Sequence, residues 1–586
     1  MRRASTVALA ALLIACQPST GPPPQATPPV STYRPEAAGH KGGTLVLADW
    51  EVPDTLNPLT APTENDLRVA AMLFAPLWNL DPKLTSYPDL VARVPSRENG
   101  GVKAGADGTT MTIDLHLKPG LEWSDGQPLT VDDVIFTWQS ICAGDLPVAT
   151  AGWDHIVGMD RRSDTEVVWR FGPRAAGACG LPAATASGLY PPYLLLGPRA
   201  RLLPRHRLSA LPLSAWASDP YFHGPDVVSG PFAYKSAVKD QLLTLVANPR
   251  YASGRDHGAY LDQVVYRTYG GKPELLGGLT SGEADVGFHL GSDDIPVLQK
   301  LTHSTTIIAP SLQTEFLNPN HATNVQTGRA PPWVGDPRVL DALSLGADRQ
   351  ALDKTVFGGV AEAPPGIYPT SLVAYADRTL ASPSSDFAAA RQTLEDDGWK
   401  AGADGIRSKA GRRLEFALLV TCGNAVRQKE QELLQARWQE LGASVRPACL
   451  NRSQFLAPFL EHGANATGAF DMSLYSNTWD ADPAVWAPFA QSDQVPSAAT
   501  PDGQNWNRCA AAQLDADFRA GAATLDFAKR RAAYLAAQRV WLAEHCTIPL
   551  LQWPRVIQRP FKLHNFVPDP SYSTDAWNAA DWWVAA

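Results

Sequence analysis

The sequence predicts a mixed α/β protein whose sheets are covered on both faces. Two observations predict it. Segments of apolar–polar alternation, such as residues 110–117 (TMTIDLHL), recur between stretches with helical spacing. Residues 414–450 read strand, helix, strand, a crossover unit that makes its two strands parallel. The chain has 586 residues, 45% of them hydrophobic and 19% charged. That balance is ordinary for a globular protein, and the length allows roughly two to four domains.

The elements follow in order. Arg2 and Arg3 precede an apolar run from Thr6 to Ile14, which ends Leu13-Ile14-Ala15-Cys16. A basic start, a short apolar core and a small residue before the cut describe a secretory signal peptide over residues 1–15. The core is too short to span a bilayer. Cys16, just after the cut, resembles the lipobox cysteine of bacterial lipoproteins, which implies a diacylglycerol thioether there. A plain signal peptide that happens to contain a cysteine is the alternative. Residues 16–40 are proline-rich and nearly lack large apolar side chains, so they read as an extended tether. The expected location is extracytoplasmic, lipid-anchored to the cell membrane.

Beyond the tether, residues 43–49 read as a strand, 54–58 as a turn and 66–78 as an amphipathic helix. The strand 110–117 turns at Lys118-Pro119-Gly120. Thr130 and Asp133 form a capping-box pattern for a helix carrying Val134, Trp138 and Ile141. Strands are expected at 165–171, 242–247, 261–269 and 284–288, with a helix at 273–283. The second half predicts a helix at 337–356 and strands at 414–420 and 443–450 around a helix at 426–441. A strand at 470–475, a helix at 524–545 and a strand at 548–552 complete it.

Net charge is −9, with no basic or basic–aromatic tract, which argues against nucleic acid. Of seven cysteines, setting aside Cys16 leaves an even set for an oxidising compartment. Their order favours the pairs Cys142–Cys179, Cys422–Cys449 and Cys509–Cys546, among fifteen possible pairings. Cys422 and Cys449 sit at the carboxyl ends of two parallel strands and meet if those strands are neighbours. Metal binding is disfavoured by the lack of C-x-x-C, H-E-x-x-H or a close Cys/His cluster. No nucleophile elbow or P-loop is present. Ser236-Ala237-Val238-Lys239 fits S-x-x-K without its partner motifs. An enzyme is therefore not expected, and no cofactor is implied.

One ordered series of motifs runs along the chain: Gly43-Thr44-Leu45 with Asp54-Thr55-Leu56-Asn57-Pro58-Leu59, Ala75-Pro76-Leu77, and LHLKPGLEWSDGQPLTVDDVIFTW at 115–138. Ser229-Gly230-Pro231-Phe232, Asn248-Pro249-Arg250-Tyr251, Asp336-Pro337-Arg338-Val339 with Asp348-Arg349, 389–399 and 471–483 follow. Together, and in this order, they resemble the large extracellular solute-binding proteins of ABC importers, family 5, which includes oligopeptide- and dipeptide-binding proteins. The resemblance implies a two-lobed, periplasmic-binding-protein-like fold with a hinge and a central ligand cleft. It implies a discontinuous lobe I over 41–310 plus 550–586, with a subdomain near 81–227, and a lobe II over 311–549. It also implies a monomer that captures a peptide by lobe closure and delivers it to ABC permease subunits, touching the membrane through its lipid alone. An oligosaccharide ligand, given eighteen tryptophans, and a secreted hydrolase are the alternatives.

The site expected from this resemblance is Asn477-Thr478-Trp479-Asp480-Ala481-Asp482-Pro483. In peptide-binding relatives an aspartate three residues after this tryptophan holds the ligand's α-ammonium group, which here is Asp482. The stretch is compressed relative to the family, so either Asp480 or Asp482 is the ligand carboxylate. A carboxylate–ammonium pair suits a closed cleft, and Trp479 would add a stacking or cation–π face. Both aspartates also fit a helix cap before Pro483. Asn477, Trp153 and Glu64, the last at the end of the loop 59–64, complete the expected walls.

Overall fold

The computed structural model describes residues 27–585, apart from 62, 145, 149, 173–178, 180–187 and 378. The expected signal peptide, residues 1–15, and the expected lipidation site Cys16 lie outside the described residues. A ten-stranded sheet forms the framework. Its strands are β1 (Thr44–Asp49), β2 (Phe232–Val238), β3 (Leu242–Ala247), β4 (Gln263–Thr268), β5 (Val286–Leu290), β6 (Ser304–Pro319), β7 (Glu415–Thr421), β8 (Ser444–Leu450), β9 (Met472–Thr478) and β10 (Ile548–Pro560). They lie in the order β8-β7-β9-β6-β10-β5-β1-β4-β3-β2.

Two lobes share this sheet. Strands β1 to β5 belong to lobe I and β7 to β9 to lobe II; β6 and β10 run through both. These two long strands pair antiparallel from Ser304↔Pro560 to Pro310↔Pro554. After a register shift they pair again from Thr314↔Gln552 to Leu317↔Ile548. At the crossing, one proline faces another. Lobe I buries Leu45, Trp78, Trp123, Trp169 and Phe288 in one core, which Leu563, Phe566 and Trp582 of the C-terminal tail complete. In lobe II the neighbouring residues Leu317 and Phe316 point to opposite faces, as strand geometry requires. Leu317 packs with Phe416, Trp438 and Leu550, and Phe316 with Tyr368, Trp479, Tyr534 and Trp541. The lobe II sheet is thus covered on both faces.

The crossover unit is β7, helix Ala425–Glu440 and β8. β7 and β8 are direct parallel neighbours, Glu415↔Ser444 through Thr421↔Leu450. The structure joins Cys422 to Cys449, Cys142 to Cys179 and Cys509 to Cys546. The capping box at Thr130 is formed, and Val131–Cys142 is its helix.

Three expected elements differ. The helix expected at 66–78 is Glu64–Leu73. Phe74 is extended (φ −130°, ψ 119°), Pro76 follows, and Trp78–Leu80 is a strand paired with Ser86–Pro88. The single helix expected at 337–356 is two, Arg338–Gly346 and Arg349–Val356. The break lies at Ala347 and Asp348, where the Asp348 side chain caps the second helix at the Ala351 N–H. The tether expected over 16–40 is docked in its second half. The Tyr33 ring packs edge-on against Tyr87 and Trp577, with centroids 5.7 and 4.7 Å away. Its hydroxyl donates to Asp581. A bridge from Val30 to Ser86 and two hydrogen bonds between Glu36 and Asn565 add to this aromatic anchor.

Candidate functional site

Sheet topology decides where a cleft can form. β1 and β5 are parallel, β5 and β10 antiparallel, and β10 and β6 antiparallel, so β1 and β5 point the way β6 runs, toward lobe II. β9 is antiparallel to β6 and parallel to β7, so β7, β8 and β9 point toward lobe I. The carboxyl ends of the strands in both lobes face each other at the crossing, the edge where open α/β sheets bind ligands. Cys422–Cys449 lies on this edge of lobe II and ties the loop after β7 to the end of β8. Replacing both cysteines with serine should cost about 3.5 kcal/mol, from the 27-residue separation. Denaturant unfolding checks this; an unchanged midpoint refutes it.

On lobe II, β9 leads into the expected motif. Asn477 is half-buried and opposite Thr314 in the ladder. Trp479 is buried and its ring lies against Trp486 at 4.0 Å and edge-on to Tyr368 at 5.1 Å. Both of its flanks are therefore taken by protein. Asp480 reaches across to lobe I, where the Arg199 guanidinium donates to it at 2.5 Å. Arg199 also lies over the Tyr572 ring, 4.4 Å from its centroid. Asp482, two residues on, points inward. It is buried, caps Pro483–Trp486 by accepting from the Ala484 N–H at 2.9 Å, and is ion-paired with Arg530. Burial pushes the Asp482 carboxyl above its ordinary range and Arg530 only partly offsets this. Burial works against the Arg530 charge, yet Asp482 holds that guanidinium above its ordinary pKa. The two aspartates thus have different partners: one spans the lobes, the other sits in a core.

On lobe I, Glu64 opens the helix Glu64–Leu73 and keeps 41% of its side chain exposed. It pairs with Arg68 at 2.8 Å and with Arg555. Burial works against its charge, but Arg555 and Arg68 hold the carboxyl down at about 2. Arg555 and Arg68 also share Asp575. At the carboxyl end of β1, Asp49 accepts from His289 Nδ1 at 2.7 Å, and His289 takes a left-handed backbone (φ 50°) to reach it. Burial lowers the His289 pKa less than Asp49 raises it. Trp153 is buried against Trp169 at 5.8 Å, and lines a cavity with Leu59, Thr60, Arg199 and Tyr572.

Sequence reasoning did not name Arg199, Arg530, Arg555 or Tyr572. Arg530 carried a signal: it shares one buried helical stripe with Tyr534, Ala537 and Trp541, and a cation on such a stripe requires a buried partner. Arg199 ends the short helix Leu196–Arg199, a single turn too brief to show a periodic pattern.

A family model for bacterial extracellular solute-binding proteins, family 5 Middle, matches residues 88–495. The chain belongs to this family. As a family 5 solute-binding protein it is a binding component of ABC transporters, an extracytoplasmic class whose relatives bind substrates and are not enzymes. The oligopeptide-binding protein AppA of Bacillus subtilis is 23% identical over 411 residues, 69% of this chain and 69% of its own. The structure of AppA with a nonapeptide matches with a TM-score of 0.64 at 20% identity, over 94% of this chain and 100% of that one. CtaP, an ABC transporter substrate-binding protein of Listeria monocytogenes, matches with a TM-score of 0.73 at 18% identity, over 93% of this chain and 100% of that one. The probable deoxycholate-binding periplasmic protein YgiS of Escherichia coli K12 is 25% identical over 472 residues, 77% of this chain and 80% of its own. Among the described residues no helix is long and apolar enough to cross a membrane, and no group of His, Cys, Asp and Glu is placed to hold a metal ion.

Proposed function

We propose that this family 5 protein captures peptides between its lobes and delivers them to an ABC permease, held at the outer face of a membrane by lipid on Cys16. The observation that carries the reading is the Asp480–Arg199 pair across the cleft. A carboxylate at the carboxyl end of β9 has its counter-charge on the opposite lobe. A ligand α-ammonium replaces Arg199 at Asp480, and a desolvated carboxylate–ammonium pair is among the strong hydrogen bonds. Contacts to both lobes exist only when the lobes are together, so binding shifts the population toward the closed form. Bending at the Pro310–Pro554 crossing serves that motion. Asp480, not Asp482, is the ligand carboxylate in this reading, because Asp482 already has Arg530. Asn477, Glu64 and Trp153 are walls, and Trp479 supports the loop from behind. An oligosaccharide reading loses its stacking face, since Trp479 is covered by Trp486 and Tyr368.

The test is capture from a mixture of short peptides, read by mass spectrometry, followed by calorimetry on a retained sequence. Asp480→Ala should weaken binding at least about tenfold, and N-acetylation of the peptide should weaken binding to the native protein as much. No peptide retained, or an affinity indifferent to both changes, removes the reading.

A further inference from the structure

The lobe I cavity behind Arg199 has a volume of about 290 Å³, and Leu59, Thr60, Trp153, Arg199, Arg201 and Tyr572 are among its walls. Arg201 is the unusual member. Its side chain is 1% exposed. Nη1 donates to the Pro198 carbonyl at 2.9 Å and Nη2 to the Tyr572 carbonyl at 3.1 Å. Nε has no hydrogen-bond partner among the described residues. The other buried arginines near the cleft each have a carboxylate: Arg68 has Asp575 and Glu64, Arg530 has Asp482, and Arg555 has Asp575. Arg349 lacks one, but its three nitrogens are satisfied by Pro549 and Ser344. Arg201 has neither a carboxylate in contact nor a full set of acceptors. Burial pushes its pKa down to about 10, with Asp89 offsetting part of this.

A buried, uncompensated charge is costly unless something pairs with it. The cavity wall carries two guanidinium groups, Arg199 and Arg201. Asp480, outside this wall, pairs with Arg199 alone, and Asp89 acts on Arg201 only through space. Leu59, Trp153 and the Tyr572 ring make the rest of this wall largely apolar. We propose that this cavity is an anion subsite, which takes a carboxylate carried on an aromatic or aliphatic body and sets its charge against Arg201 and Arg199. The inference rests on the cleft reading above and adds the chemical class of one ligand group to it. An Arg–carboxylate contact adds planar, two-point geometry to the charge, and Trp153 and Tyr572 add apolar area.

The experiment uses the purified protein and two isosteric probes, phenylacetate and phenylacetamide, in calorimetry at neutral pH. Phenylacetate should bind at least about tenfold more tightly than the amide. Arg199→Gln should reduce that preference, and Arg201→Gln should abolish it if that variant folds. The comparison of the two probes on the native protein needs no variant. No binding of phenylacetate at about 10 mM, equal binding of acid and amide, or a preference that survives both substitutions overturns the subsite. Peptide capture is scored separately. Peptides retained without phenylacetate binding remove this proposal alone; phenylacetate bound without peptide capture removes the peptide reading and leaves the subsite.

Discussion

Replacing Arg530 with alanine should lower the unfolding free energy of lobe II by about 3–5 kcal/mol, the usual result of stripping one partner from a buried ion pair. Arg530 holds Asp482, bonds the Tyr375 hydroxyl at 3.1 Å and reaches the Gly521 carbonyl. Its loss leaves a carboxylate among Tyr368, Tyr375 and Tyr534. Asp482 would then take a proton, which recovers only part of the loss. Replacing both Arg530 and Asp482 with apolar residues should restore much of it, because neither charge is then stranded. Arg199→Ala, at a pair that is still partly exposed, should cost far less. Denaturant unfolding of the variants orders these effects. An Arg530→Ala midpoint equal to the native one would mean that the pair is not structural, and Asp482 would return as a ligand carboxylate.

A large pH effect should come from Asp569. It is buried, accepts from the Ser571 N–H at 2.6 Å, and its second oxygen has no partner among the described residues. Burial, with Asp575 beside it and only partial relief from Arg555 and Ser571, raises its pKa to about 8. The unfolded value is about 3.9. The folded state therefore keeps a proton that the unfolded state has lost. Its contribution to stability is complete below about pH 4 and is lost as pH rises through about 8. Asp569→Asn keeps the shape and removes the titration. Its stability should fall less than the native protein's between pH 4 and pH 8, measured by urea unfolding at several pH values. Parallel profiles for the two proteins would show that Asp569 is ionised in the fold.

Local pattern made part of this molecule readable. The unit β7–helix–β8 announces itself through an apolar run, a helical stripe and cysteines at matching strand ends. The Thr130 box is four residues of chemistry. Helix ends were harder: Phe74 and Ala347 break expected helices through backbone conformation that neither residue type demands. Long-range pairing was out of reach, since β6 meets β10 across more than two hundred residues. The return of the C-terminal tail to lobe I was implied only by resemblance. The site divided the same way. The motif 477–483 was legible as a cluster of acid and aromatic residues, but the partners of its two aspartates were not. Arg199 and Arg530 come from distant segments, and only packing assigns one to each.

The facing prolines at 310 and 554 have one more implication. Neither carries an N–H, so the antiparallel ladder cannot form its reciprocal pair of bonds at this rung. The great sheet is in effect two separately knitted panels sharing a pair of threads. Swinging one panel against the other unravels no stitch there. What resists the swing lies in side chains elsewhere: the salt link from Arg199 to Asp480, and Leu84 and Leu525, each lodged against the opposite panel's interior. Such contacts can be exchanged for a guest's, whereas a broken backbone rung would have nothing to replace it.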